Sequence, residues 1–367
     1  MDFAFPPEID ALRREAEEVA AKAAAGLSVL EDSWINAHDR AFSQELGRRG
    51  WLGMTWPEEY GGHGRTPLER FVVTEALIAA GAPIAATWFC DRQMGPALLA
   101  FGTEEQKRRF IPDMVAGNAA WCIGMSEPDA GSDLASLRTR AVADGDTFVV
   151  RGQKVWTSFA AMADWCYLIC RTDVGDKPHQ GISELVVDMT TPGIEVRPIT
   201  DMTGNRHFCE VVFDDVVVPA SHLVGERGAS WEQTMSQLEH ERGGIDRLLS
   251  NRALYRDTLP RADTTDRLVR QEVAELESFY RIGRLLVLRE VLGQAPKGFS
   301  AAAKAACTTF EQRVAGFCAR VVGPEAMVWN RVSRGVCYSP AYTIMGGTND
   351  VLKNIVGERI LGLPRSG

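Results

Sequence analysis

Nowhere in these 367 residues do about 20 apolar residues run together, so no segment has the length and hydropathy of a membrane-spanning helix. The opening Met-Asp-Phe-Ala-Phe-Pro-Pro-Glu lacks the basic start and apolar core of a secretory signal. Cysteine is scattered: none of the eight forms a Cys-x-x-Cys pair, and Cys166 and Cys170 stand four apart, which is not a usual metal-ligand spacing. The expectation is a reduced, cytoplasmic protein with buried thiols. Positive charge is short as well, 40 Lys and Arg against 49 Asp and Glu, and a net charge of −9 argues against a nucleic-acid partner. Four site motifs are missing: Gly-x-Gly-x-x-Gly after an expected strand, Gly-x-x-x-x-Gly-Lys-Ser/Thr, Gly-x-Ser-x-Gly and His-Glu-x-x-His. Nicotinamide, P-loop, serine-hydrolase and zinc-protease chemistry therefore have no motif to stand on. His63 and His207 have no partner at metal or triad spacing and are expected to be solvated or core histidines, with no metal site.

What is present suits a globular chain of two or three domains, with 45% hydrophobic and 24% charged residues. Helical patterning runs from Ile9 to Met114, broken by a Gly-rich loop at Pro57 to Pro67. Within it Leu68 to Ala80 reads as an amphipathic helix, and Thr103 as the cap of another. From Trp121 the period shortens to strands at Thr147 to Val150, Trp165 to Cys170, Glu184 to Val187, Ile194 to Arg197 and Glu210 to Phe213. Helices return at Ala229 to Leu259, Asp266 to Gly293, Ser300 to Val322 and Thr348 to Leu361. Trp165 and Trp231 read as core. The expected class is α+β: an N-terminal helical domain (1–118), a central antiparallel, β-barrel-like domain (119–224) and a C-terminal four-helix bundle (225–367).

The stretch from Trp121 to Ser158 concentrates the candidate chemistry. An apolar run ends in the polar loop Ser126-Glu127-Pro128-Asp129-Ala130-Gly131-Ser132, and the strand Phe148 to Trp156 ends in Thr157 and Ser158. Hydroxyls at Ser126, Ser132 and Ser158, the Trp156 indole and small residues at Ala130 and Gly131 suit a flat, hydrogen-bonding ring such as a flavin. On residue chemistry alone they serve equally as two ordinary strand ends of a sheet.

The pair "EPDAGSD" and "KVWTS" resembles the acyl-CoA dehydrogenase family. So do "WPEEYGG" (Trp56 to Gly62), "GTEEQKRRFIP" (Gly102 to Pro112), "EVVFDDVVVP" (Glu210 to Pro219) and "GGTNDVLKNIVGERIL" (Gly346 to Leu361), in the family's order along essentially the whole chain. The resemblance implies FAD held by Met125, Ser126, Gly131, Ser132, Trp156, Ser158 and Thr348, and α,β-dehydrogenation of an acyl-CoA thioester. In that reaction a carboxylate takes the α-proton and the β-hydrogen leaves as hydride to flavin N5. Many members place the base just before the C-terminal Gly-Thr, where this chain has Gly346, whose backbone N–H is the implied donor to the thioester oxygen. A subset uses a Glu followed by Arg on the first helix of the bundle, which here is Glu241-Arg242. Read as one helix, Glu241 shares an apolar stripe with Leu238, Ile245 and Leu248, Glu239 falls off it, and Gly243 and Gly244 leave space beside the carboxylate.

Two departures bear on assembly. Homo-oligomeric members carry Arg-x-x-Phe-Gly where this chain has Pro260 to Thr265, and a Gln before Gly-Gly where it has Arg320 to Pro324. The resemblance then points to the base-carrying subunit of a heterotetramer of the actinobacterial steroid side-chain type. A second dehydrogenase-like subunit would be its partner, and an electron-transfer flavoprotein or similar acceptor would take the electrons. A non-catalytic FAD-binding partner subunit and a related flavin oxidase or monooxygenase are the other readings.

Overall fold

The computed structural model describes residues 5–27, 30–296 and 298–364, with the side chains of His240 and Glu241 outside the described residues. The helices ahead of the first strand are α1 (Pro7–Ala24), α2 (Ser33–Asn36), α3 (Arg40–Arg48), α4 (Pro67–Ala80), α5 (Ala85–Phe89), α6 (Gly95–Phe101) and α7 (Glu104–Val115). Thr66 and Thr103 start α4 and α7 through capping boxes with Glu69 and Gln106, each pairing two amide donors that a helix end leaves open. The strands are β1 (Trp121–Gly124), β2 (Arg140–Asp144), β3 (Thr147–Ser158), β4 (Trp165–Arg171), β5 (Ile182–Asp188), β6 (Ile194–Ile199), β7 (Phe208–Pro219) and β8 (Leu223–Val224). After them come α8 (Trp231–Arg242), α9 (Asp246–Leu249), α10 (Arg252–Thr258), α11 (Arg267–Val291), α12 (Phe299–Val322), α13 (Arg331–Tyr338) and α14 (Asn349–Ile355). Among the described residues no helix is long and apolar enough to cross a membrane.

The chain packs as two compact units. One gathers the segments Met1–Ala37, Arg65–Pro83 and Glu239–Gly367, and is helical. At its centre α12 buries Cys307, Phe310, Val314 and Phe317, a three-to-four spacing that marks one helix face, against α9, α10, α11, α13 and α14. Phe310 stacks on Phe279 at 4.5 Å and meets Tyr280 edge-on at 4.7 Å. α1 packs on α4, and Arg284 of α11 clasps Glu75 of α4.

The other unit, His38–Gly64 and Ile84–Leu238, holds the sheet. Its strand order is β6-β7-β3-β2-β4-β5-β8, with β1 pairing β4. β4 is buried from Cys166 to Cys170, as an unbroken apolar run requires in a strand covered on both faces. The fully buried Glu184 carboxylate on β5 accepts from Tyr167 Oη (2.8 Å), Gln233 Nε2 (2.6 Å), Thr234 Oγ1 (2.6 Å) and Gln237 Nε2 (2.9 Å), which pins the first turns of α8 to the sheet.

Several expectations change. The sheet is mixed rather than wholly antiparallel, because β1 runs parallel to β4 and β2 meets β4 in parallel at Arg140 and Arg171. The helix expected over Ala229 to Leu259 is broken into α8, α9 and α10. α8 stops at Arg242 because two successive glycines favour the unfolded chain by roughly 1 kcal/mol each relative to Ala. The stripe joining Glu241 to Ile245 and Leu248 therefore does not lie on one helix. Nor is the room beside Gly243 empty: a Cβ there would come within 2.4 Å of Glu290 Oε1. The last expected helix divides into α14 and a π-helical turn at Val356–Ile360.

Candidate active site

In the sheet unit the chain after β1 folds onto β3. Val155 N donates to Ser126 O (2.9 Å), and Lys154 Nζ donates to Met125 O (2.9 Å), so Met125, Ser126 and Trp156 come together. Lys154, fully buried, also donates to Glu127 Oε1 at 2.8 Å. Glu127 in turn accepts the backbone N–H of Arg138 (2.6 Å) and Thr139 (2.8 Å), closing the loop that carries Gly131 and Ser132. Arg171 ties the far side of that loop through Ala135 O (2.8 Å) and Leu137 O (3.2 Å). Burial pushes the Glu127 carboxyl up, but Lys154 and the N–H donors outweigh it and its pKa is lowered. Burial lowers the Lys154 pKa against the pull of Glu127.

Trp156 sits in a β-bulge between β3 and β7 with φ +60°, a left-handed backbone that costs a non-glycine residue roughly 1–2 kcal/mol. Its indole remains 57% exposed, edge-on to Phe208 at 5.8 Å. Phe159 repeats the left-handed conformation at φ +62°. Between the two lie Thr157 and Ser158, both buried, and Thr157 Oγ1 has no hydrogen-bond partner. Gly131 has open space around it, since a Cβ there would meet nothing within 4 Å, and Ser132 beside it is exposed.

The helical unit carries the remaining candidates. Gly346 and Gly347 turn with φ +68° and +89°, and Thr348 then caps α14 by accepting from Val351 N (3.2 Å). Arg242 Nε donates to Gly346 O (3.4 Å), and Lys304 Nζ donates to Gly347 O (2.8 Å). Glu241, next to Arg242, lies outside the described side chains, whereas Glu239 is exposed. Glu290 at the end of α11 faces Gly243; burial and then the nearby Glu239 push its carboxyl up to about 7, and its Oε2 is buried without a hydrogen-bond partner.

Reading the sequence missed Glu127, Lys154, Lys304 and Glu290 as members of these groups. Lys154 had a signal: it shares strand parity with the inward Phe148 and Val150, where a cation needs a buried partner. Glu290 had none, because its neighbour Gly243 is 47 positions away in the chain.

Family models for the acyl-CoA dehydrogenase N-terminal, middle and C-terminal domains match residues 6–118, 122–216 and 227–361. The acyl-CoA dehydrogenase IpdE1 of Mycobacterium tuberculosis (strain ATCC 25618 / H37Rv) is 37% identical over 344 aligned positions, covering 89% of this chain and 88% of its own. The acyl-CoA dehydrogenase FadE26 of the same organism is 34% identical over 405 aligned positions, covering 100% of both. Among solved structures, the Tcur3481-Tcur3483 steroid ACAD matches with a TM-score of 0.87 at 30% identity over 100% of both chains. The ChsE4-ChsE5 complex from Mycobacterium tuberculosis matches with a TM-score of 0.87 at 32% identity, again over 100% of both. With its domains in the same order and matched from residue 6 to residue 361, the chain belongs to the acyl-CoA dehydrogenase family, and its membership implies a flavin.

Proposed function

We propose that this chain is the base-carrying subunit of a cytoplasmic hetero-oligomer that dehydrogenates a steroid side-chain acyl-CoA, with FAD as its flavin and Glu241 as its base. The reaction class follows from the family; the roles of individual residues are the proposal. In it the segments 1–118, 119–224 and 225–367 serve as the working domains.

The observation that carries the flavin reading is the corner at Trp156. A strained backbone keeps an indole exposed, and strain of this kind collects at functional sites. The buried, unpartnered Thr157 hydroxyl and the open ground at Gly131 lie on the segments that Lys154 and Val155 bring together. These residues fit a flat ring with polar edges, with Trp156 against its face, Ser126 and Ser158 at its rim, and Gly131 and Ser132 toward the phosphates. Bound FAD supplies the acceptor for the β-hydride. Thr348 takes the nucleotide end.

Glu241 removes the α-proton, and the Gly346 N–H stabilises the oxyanion that develops. The support for Glu241 is its neighbour: Arg242 reaches Gly346 O, so the backbone at 241 runs beside the turn that receives the thioester oxygen. A carboxylate desolvated there by an apolar acyl chain gains basicity.

Support for the steroid class comes from the Tcur3481-Tcur3483 steroid ACAD, and support for a second subunit from the two-component ChsE4-ChsE5 complex. Arg261, in the first of the segments that differ from the homo-oligomeric pattern, binds Glu325, the residue just after the second, with Nη2 to Oε1 at 2.7 Å. Beside them Met327, Val328 and Trp329 stand 89%, 67% and 60% exposed, an apolar face suited to a second dehydrogenase-like subunit. Electrons then pass to an electron-transfer flavoprotein or similar acceptor.

The test is anaerobic mixing of the purified yellow complex with a steroid side-chain CoA ester. The flavin band should bleach with wild type and persist with Glu241→Gln. Bleaching that survives the substitution at the wild-type rate removes Glu241 from the role, and rapid turnover on oxygen alone would replace the dehydrogenase with an oxidase.

A further inference from the structure

We infer that Lys304 is a positioning residue which, with Arg242, holds the Gly346–Thr348 turn so that the Gly346 N–H stays aimed at the reacting thioester oxygen. The inference rests on the dehydrogenase reading and adds to it the device that holds the oxyanion donors in place.

Lys304 is fully buried in α12. Its Nζ donates to Gly347 O (2.8 Å) and to Asn349 Oδ1 (3.1 Å). Thr308 Oγ1 donates to the same Asn349 oxygen at 3.1 Å, and Asn349 Nδ2 returns a hydrogen bond to Ala305 O at 3.2 Å. One helix therefore clips the residues on both sides of Thr348. On the preceding peptide Arg242 Nε donates to Gly346 O at 3.4 Å.

In a planar trans peptide the C=O of one residue points opposite to the N–H of the next. Capturing the carbonyls of Gly346 and Gly347 therefore turns the N–H groups of Gly347 and Thr348 away from Arg242 and Lys304. Gly346's own N–H belongs to the Met345–Gly346 peptide, which is joined to the held planes through the φ and ψ of Gly346, so a held carbonyl and a set φ of +68° restrain it from one side. Gly346 and Gly347 both take left-handed backbone, φ +68° and +89°, so the turn is one that side-chain-bearing residues would adopt only under strain. Among the described residues no protein acceptor takes the N–H of Gly346, Gly347 or Thr348. Such donors work only when their directions are set before the oxyanion forms, since reorientation during the reaction forfeits the gain.

The experiment uses the flavin-loaded protein and two substitutions, Lys304→Met and Gly347→Ala. The second leaves Lys304 in place but puts a Cβ 3.3 Å from Arg242 Nη2 on a left-handed residue, disturbing the same turn by another route. Steady-state turnover is measured with an acyl-CoA that wild type oxidises. Enolisation is followed in the near ultraviolet with the 3-oxoacyl-CoA of the same chain length, a readout that needs no hydride transfer. Both variants should lose roughly 10- to 100-fold in kcat, in line with misplacing an oxyanion donor, with KM within about threefold. Both should also raise the apparent enolisation pKa of the bound probe by about one unit or more. Lys304→Gln, which keeps a donor, should recover part of each loss. If wild type works and Lys304→Met leaves kcat and the enolisation pKa unchanged, the inference falls alone. It falls likewise if kcat drops only in proportion to flavin content and melting temperature while the pKa stays put in both variants. If wild type neither oxidises an acyl-CoA nor enolises the probe, the dehydrogenase reading falls and takes the inference with it.

Discussion

A carboxylate and a lysine decide most of what can be tested at the scale of single residues. Glu241→Gln preserves size and removes the proton acceptor, so turnover should drop by roughly 10²–10⁴-fold while flavin content stays normal. Glu239→Gln is the exposed control and should stay near wild type. Lys154→Met should act on stability instead. It leaves Glu127 buried without its ammonium and frees Met125 O, and breaking a buried pair costs about 3–5 kcal/mol. Urea unfolding should register that loss, and retention of full stability would mean the pair is not what closes the loop. The candidates at Ser126, Trp156 and Ser158 were legible because hydroxyls and an indole at strand ends stand out. Lys154 could be read from strand parity, whereas Lys304 and Glu290 could not, because their partners come from distant parts of the chain.

Secondary structure was legible where a local cause acted. Thr103 announces α7 as its cap, and β3 and β7 follow from alternation, whereas the Thr66 capping box of α4 lies in what reads as a loop. The break after Arg242 was missed although Gly243-Gly244 marked it, because an apolar stripe was carried through the pair. β1 pairing in parallel with β4 had no sequence signal, since direction is set by the crossover and not by the strand. One junction between elements of the helical unit makes a pH prediction. Asp32, just ahead of α2, is buried and accepts from Tyr342 Oη at 2.7 Å. Burial pushes its carboxyl up to about 7, against the pull of Tyr342. Its ordinary value is about 3.9, so the folded chain holds a proton that the unfolded chain has released between the two. Its contribution is present below about pH 4, declines by up to roughly 1.4 kcal/mol per pH unit, and is gone above about 7. Asp32→Asn keeps an acceptor for Tyr342 and tolerates the left-handed φ of +59°, so it should flatten the fall in unfolding free energy between pH 5 and 7.5 by about one proton's worth. An unchanged slope would assign the titration to another carboxyl.

At the scale of the whole molecule the first test is assembly. Expressed alone the chain should be flavin-poor or weakly active; co-expressed with its partner it should carry about one FAD per two chains, the stoichiometry of a split site. Gel filtration with the ratio of flavin to protein absorbance reads this directly, and a fully flavinated, fully active homotetramer would refute it. The division into units has a different consequence, in the order of events during synthesis. The sheet unit is complete once residue 238 has been made, whereas α1 and α4 belong to a unit that also needs α9 to α14. Since segments leave the ribosome N-terminus first, those two helices emerge with only each other to pack on and must wait for the last third of the chain for the rest of their partners. Hydrogen exchange on ribosome-bound chains stalled before α12 should find amides of β3, β4 and β5 protected and those of α1 still exchanging. In a cell the waiting helices are the ones a chaperone would hold, and a nascent chain stalled before α12 would be cleaved there first.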